Sequence, residues 1–244
     1  SIEREAALRC GVMAPEDTTT PNEIDDPVYR TGMIELLGVL AYGEITACER
    51  LAEDAKMAPD LQTRVEITAM EASEFRHFVQ LRDRLVELGE DPYAVMTTFT
   101  DTFDRFHHQT APADWLEGLV KAYVGDGLAA DFYREIAAYL DADTRALVLE
   151  TLSGTGSSEF VIDAVRRAIE DDPKVGGRLA LWGRRLMGEA LSQAQMVVAE
   201  RDALSAVLVG GVDHPGMDLA GIGRMFTRLT EGHAARMEKL GLAA

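Results

Sequence analysis

Strict alternation of apolar and polar residues is missing from this chain, and with it the signature of a half-buried β-strand. Sheet architectures are therefore set aside, and the reading that remains is all-α. No apolar run approaches the roughly 18 residues that a membrane span needs. The opening residues, Ser1-Ile-Glu-Arg-Glu, lack the basic and then apolar order of a secretory leader. The expectation is a cytoplasmic protein with no membrane contact. Cysteine is scarce, with only Cys10 and Cys48, so there is no disulfide framework, and Cys48 is expected to pack as a small apolar residue.

Positive charge is also scarce. There are 24 Lys and Arg against 42 Asp and Glu, a net charge of −18. The imbalance is uneven, with 13 basic against 32 acidic residues in 1–163 and 11 against 10 in 164–244. A polyanion is repelled by most of such a surface. Contact with nucleic acid is confined to Arg166, Arg167, Lys174, Arg178, Arg184 and Arg185, for which solvated helix faces are the plainer reading.

What is present is a globular composition, 244 residues and 47% hydrophobic, with helical periodicity along most of its length. Residues 1–25 read as an extended arm. Asp26-Pro27 is a cap and first-turn proline that opens a helix A running to about Lys56. Helix B follows from Pro59 to the Leu88-Gly89 stop, and the short connection requires the two to pack antiparallel. Residues 89–111 read as a crossover, with Phe99, Phe103 and Phe106 at helical spacing. Helix C spans about 112–140 and helix D about 143–171, weakened at Gly154 and Gly156. Residues 26–171 are thus expected to form a four-helix bundle of two antiparallel hairpins. Residues 172–244 supply further helices packed on it, helix E to about Val209 and helix F over 218–240, in a single domain.

Helix B carries the stretch of most chemical interest, Met70-Glu-Ala-Ser-Glu-Phe-Arg-His-Phe78. Glu74 and His77 are three apart and share a face with Ile67, Met70, Phe78, Leu81 and Leu85. A carboxylate and an imidazole on a buried stripe need a partner or a metal, because each desolvated charge costs several kcal/mol. The other three helices each place one acid on their apolar stripe: Glu44 between Leu40 and Cys48, Asp126 between Tyr123 and Ala130, and Glu159 between Thr155 and Ile162. Ser-Glu-Phe occurs at both 73–75 and 158–160, and Ala-Tyr recurs at 41–42 and 122–123, so the chain reads as two similar hairpins. Four acids at mid-height either hold protons or enclose cations. Carboxylates with imidazole suit iron or manganese, with zinc as a further candidate.

This pattern resembles the ferritin-like di-iron carboxylate superfamily, in which two helices each give a Glu and two each give Glu-x-x-His. Over its whole length, with helices E and F after the bundle, the chain is most similar to the actinobacterial type of the tRNA-(2-methylthio-isopentenyladenosine) hydroxylase family. The resemblance implies Glu44 as the helix A ligand, Glu74 as a bridging carboxylate, His77 as the first histidine, Asp126 as the helix C ligand and Glu159 as the second bridge. It implies a di-iron centre that activates dioxygen, an electron donor, and either tRNA or a small hydrophobic substrate. A homodimer is a candidate assembly, because bundles with an exposed apolar helix face often pair. The second histidine is absent: Ile162 stands there. Asp163, His107 or His108 are the candidates to replace it, and Arg166 is the candidate for a positive charge with no metal in that half. Two further readings follow from Ile162: a silent structural or interaction module, and a metal-handling protein without a hydroxylation substrate. Tyr42 and Tyr123 are read as packing residues near the acids, Glu71 and Glu189 as salt-bridge formers, and His233 as structural.

Overall fold

A computed structural model describes residues 26–151, 158–210 and 216–244. The 1–25 arm, the Gly154/Gly156 weak point and His214 lie outside the described residues. Among the described residues the chain is helical and no strand occurs. The order is α1 (Pro27–Lys56), α2 (Leu61–Glu87), α3 (Pro92–Thr97), α4 (Thr100–Gln109), α5 (Trp115–Ala137), α6 (Ala142–Thr151), α7 (Ser158–Asp171), α8 (Pro173–Glu200), α9 (Asp202–Val209) and α10 (Leu219–Lys239).

Local chemistry sets where the helices begin. Asp26, Asp60, Asp91, Asp114, Asp172 and Asp218 are N-caps whose carboxylates accept from backbone N–H groups of the following turn. Asp141 does the same for Thr144 at the start of α6. Part of the acidic excess therefore neutralises the positive ends of helices. Pro27, Pro92 and Pro173 occupy first-turn positions where the missing N–H has no intrahelical acceptor to lose.

The turn at 57–60 folds α2 back along α1, and the pair is clamped at its far end where Arg30 donates to Leu88 O at 2.6 Å and to Glu90 at 3.1 Å. α5 runs antiparallel to α1. Tyr29 at one end of α1 takes the Asp141 N–H on its phenol oxygen at 2.8 Å, while Asp54 at the other end lies against Gly118. α3 and α4 form the crossover, with Phe99 only 1% exposed beneath it. α8 and α10 lie on the outer side of α5, where Trp182 donates to Glu117 O at 2.9 Å and Arg228 forms a two-bond ion pair with Glu135.

α6 and α7 both lie within the stretch read as helix D, and residues 152–157 between them lie outside the described residues. Three expectations are corrected. On α7 the residues with no exposure are Val161 and Val165, so the inward stripe is not the one through Glu159 and Ile162. Helix E is broken at Arg201, whose backbone is extended, because Arg201 stacks over the Phe99 ring at 4.5 Å and donates to Thr98 O and Glu35. Finally, α1 is long and apolar enough to cross a membrane, although no such run was expected. Its Met33, Leu36, Leu37 and Leu40 are at most 2% exposed within the bundle, which places α1 as a core helix.

The core is divided in two. One apolar cluster gathers Leu51, Ile67, Met70, Leu119 and Val124 with α7, α8 and α10. The other gathers Met33, Leu37, Phe78, Leu81 and Ile136 with α6 and α9. Glu44 lies on α1 between these two sets, Glu74 and His77 lie between them on α2, and Asp126 and Ala130 mark the same level on α5.

Candidate metal centre

At this level the α1/α2 hairpin brings Glu44, Glu74 and His77 together, with one potential ligand atom from each lying within 4.8 Å of the others. Register does the work: α2 returns antiparallel, so an acid midway along α1 meets an acid and an imidazole midway along α2. His77 Nδ1 is 3.5 Å from Glu44 Oε2 and 3.8 Å from Glu74 Oε2. These are ion-pair separations rather than hydrogen bonds. Glu44 Oε2 is buried and has no hydrogen-bond donor. The side chains are 13%, 11% and 16% exposed for Glu44, Glu74 and His77, which leaves little water to share their charge.

The electrostatics follow from that crowding. Burial pushes the Glu74 carboxyl up to about 7, with His77 opposing the rise and Glu44 adding to it. Between the carboxylates of Glu44 and Glu74, the His77 imidazole is held protonated up to about 9. Burial, followed by repulsion from Glu74, raises Asp126 well above the usual carboxylate range, which puts it within the field of the same cluster. A divalent cation answers each of these conditions at once.

The donor set fits such an ion. Ligand atoms about 2.1 Å from a metal stand up to about 4.2 Å apart across it. The separations here close to that with small side-chain rotations. Two carboxylates and an imidazole suit iron, manganese or zinc.

The remaining expected residues are placed as follows. Glu159 is exposed and is not part of the cluster. Asp163 is exposed and pairs with Arg167 at 3.8 Å. Arg166 donates to Lys239 O at 2.8 Å, so its charge serves the end of α10. His107 faces Lys121 at 3.2 Å rather than the carboxylates, and His108 is exposed. Tyr42 packs edge-on against Phe103. Tyr123 lies in the field of Arg236, while Glu71 and Glu74 both act on the Cys48 thiol. The tyrosine that does belong at this level is Tyr133, whose phenol is pushed well above 10 by burial and then by Glu44, Glu74 and Asp126. Its signal was present in the sequence: Tyr133 is two helical turns from Asp126 on one stripe.

A second polar group was not foreseen. Near the junction of α1, α4 and α5, Lys121 donates to Thr110 O at 2.9 Å beside His107, and buried Asp54 faces it. Burial lowers Lys121 to about 8 and His107 to about 3, and raises Asp54 to about 6.

Comparisons with known proteins bear on the family and the fold. A family model described as "Ferritin-like domain, actinomycetes" matches residues 27–211. Among solved structures, a Synechococcus protein, "Protein 19 with aldehyde deformylating oxidase activity", superposes with a TM-score of 0.68 at 18% identity, over 89% of this chain and 93% of that one. No curated protein matches this chain.

Proposed function

We propose, for a chain that belongs to the ferritin-like domain family of actinomycetes, that Glu44, Glu74 and His77 bind iron and that the protein is an oxygen-dependent oxidase of a small apolar substrate. One observation carries this reading: two buried carboxylates and an imidazole converge within 4.8 Å, with Glu44 Oε2 lacking a hydrogen-bond donor. Asp126, in the field of the same group, is the residue that extends the centre to a second ion and so to the di-iron form. Manganese and zinc are the competing occupants.

Iron held there supplies redox chemistry toward dioxygen, with electrons from an external donor. The chain's own residues do the rest. Glu44, Glu74 and His77 fix the metal and balance its charge. The apolar clusters on either side of their layer limit the entry of water and favour an apolar substrate. Tyr133 keeps its proton in the field of these carboxylates and so adds no further negative charge to the layer. The aldehyde deformylating oxidase activity named for the Synechococcus structural neighbour supports the oxidase class.

A tRNA-directed hydroxylase is the less favoured form of this reading. The basic residues it would use are largely engaged within the chain: Arg178 with Asp114 and Glu117, Arg184 with Ala243 O, Arg185 with Gln109 O, and Arg166 with Lys239 O. A second reading, a catalytically silent ferritin-like interaction module, is favoured by one observation: α7 offers Val161 and Val165 to the core and turns Glu159 outward, so among the described residues the second hairpin contributes Asp126 alone.

Metal analysis of protein produced with supplemental iron tests these readings. Iron lost in both Glu74→Ala and His77→Ala supports the oxidase, and two irons per chain support the pair. A folded parent protein with no metal above background overturns it in favour of the silent module.

A further inference from the structure

α2 carries an apolar side that the bundle does not use. Its inward residues Ile67, Met70, Leu81 and Leu85 are at most 4% exposed. On the opposite side stand Leu61, Val65, Thr68, Ala72, Phe75, Val79 and Val86, all within an arc of about 80° at the helical turn per residue. Leu61, Val65, Phe75 and Val86 are 73%, 58%, 47% and 56% exposed, Thr68 and Ala72 are also exposed, and Val79 is half-buried. Among the described residues this side is left open. α2 packs along α1, and α6 meets it toward its C-terminal end, where Gln80 donates to Glu150 and Arg84 lies 3.9 Å from Asp141.

The spacing says what kind of partner fits. Positions 61, 65, 68, 72, 75, 79, 82 and 86 alternate by four and three residues, which is the seam of two helices packed side by side. A solvated face has no need of it. Thr68 and Arg82 are its polar members, and the charge of Arg82 is answered within the chain by Asp83 at 2.6 Å.

The charges favour a second copy of the chain as that partner. At −18 each, two copies repel over most of their surface. The outward half of α2 is balanced, with Arg64, Arg76 and Arg82 against Glu71, Asp83 and Glu87. The seam is also self-complementary when reversed. With two α2 helices antiparallel about a twofold axis at the level of Ser73 and Glu74, Leu61 of one copy meets Val86 of the other, Thr68 meets Val79, and the bulky Phe75 meets the small Ala72. The four exposed apolar side chains present on the order of 400 Å², and with Thr68, Ala72, Val79 and the flanking stems the face reaches about 600 Å² per copy. A dimer would bury about 1,200 Å² in total, where specific interfaces begin.

We propose that this face of α2 is the interface of a symmetric homodimer in which the two α2 helices pack antiparallel. Glu74 and His77 lie on the other side of the same helix, so the pairing does not depend on metal.

The test is sedimentation velocity on the full chain from about 1 to 100 μM, with and without supplemental iron. Dimer is expected within this range in both preparations. Phe75→Glu, at unchanged helicity, should weaken association at least about tenfold, because it buries a charge at the centre of the seam. Leu181→Glu, a change of the same kind at an exposed position on α8, should dimerise like the parent. A parent protein that stays monomeric throughout, an unchanged Kd in Phe75→Glu, or an equal loss in Leu181→Glu would each overturn the assignment. A monomer whose Tm falls in Phe75→Glu would overturn it in favour of cover by another segment of the same chain. If Phe75→Glu fails to fold, Val65→Glu decides by the same comparison.

Discussion

His77 Nδ1 on α2 lies 3.5 Å from Glu44 Oε2 on α1, across the hairpin and at the boundary between two apolar clusters. The imidazole lies beside two carboxylates at once, and α1 and α2, the two helices of the first hairpin, bring about this meeting. Metal retention should follow from this pairing. Glu44→Ala, like the Glu74 and His77 variants, is expected to lose bound iron, whereas Glu159→Ala should retain it because Glu159 is exposed on α7. Elemental analysis of the purified variants at equal helicity checks the contrast.

Acid tolerance should be governed by His107. Its folded pKa is about 3, against 6.5 when unfolded, so the unfolded chain binds the extra proton as pH falls through 6.5 toward 3, and stability is lost over that window. Asp54 acts in the opposite sense: its pKa is raised to about 6, so protonation between 6 and 4 stabilises the fold. Removing the imidazole in His107→Leu should leave the Asp54 effect exposed. Between pH 7 and pH 4.5 the variant should lose less Tm than the parent, by a free energy on the order of 2 kcal/mol. Melts at both pH values measure it.

Glu117 should be the residue whose loss loosens α8. Its carboxylate accepts from the Ala113 N–H at 2.8 Å and from Arg178 at 2.5 Å, and the residue is 7% exposed. Truncation leaves a partly buried guanidinium and a backbone donor without that acceptor. Glu117→Ala is expected to cost about 2 kcal/mol in urea unfolding, and Glu117→Gln, which keeps an acceptor, less.

At Gly32 an added methyl group has nowhere to go. A Cβ there would overlap the Ala203 backbone carbonyl and the Val207 side chain of α9, and backbone does not yield as a flexible side chain would. Gly32→Ala should destabilise by about 1–3 kcal/mol despite the better helix propensity of alanine. At Gly125, where a Cβ would meet no neighbour within 4 Å among the described residues, the same change should be neutral or stabilising.

The first hairpin was legible in the sequence because two long periodic helices joined by a short turn have one sensible pairing, and Glu44, Glu74 and His77 follow from its register. The apolar stripes of α2 and α5 were legible for the same reason: Ile67, Met70, Phe78, Leu81 and Leu119 are buried as their spacing predicts. The facing of α7 was not. Its amphipathic pattern admits neighbouring stripes, and the sequence repeat at Ser-Glu-Phe favoured one through Glu159, whereas packing selects Val161 and Val165. The break at Arg201 carries no proline or glycine at the bend. It is imposed by Glu35, Thr98 and Phe99, residues far away in the chain, which no local pattern reports. The same holds for Lys121 and His107, whose depressed pKa values arise only when α4 settles over α5.

The docking of α9 on α1 sets a timing problem for synthesis. Glu35 and Arg201 are 166 residues apart, yet α9 covers the first half of α1 at Gly32. At about 5–20 residues per second, translation takes on the order of ten seconds or more to deliver the segment that covers this face. During that interval an apolar core helix of the protein stands partly uncovered on the ribosome. The first hairpin is therefore the stretch that a chaperone would shield, and truncation before α9 would leave a hairpin prone to self-association.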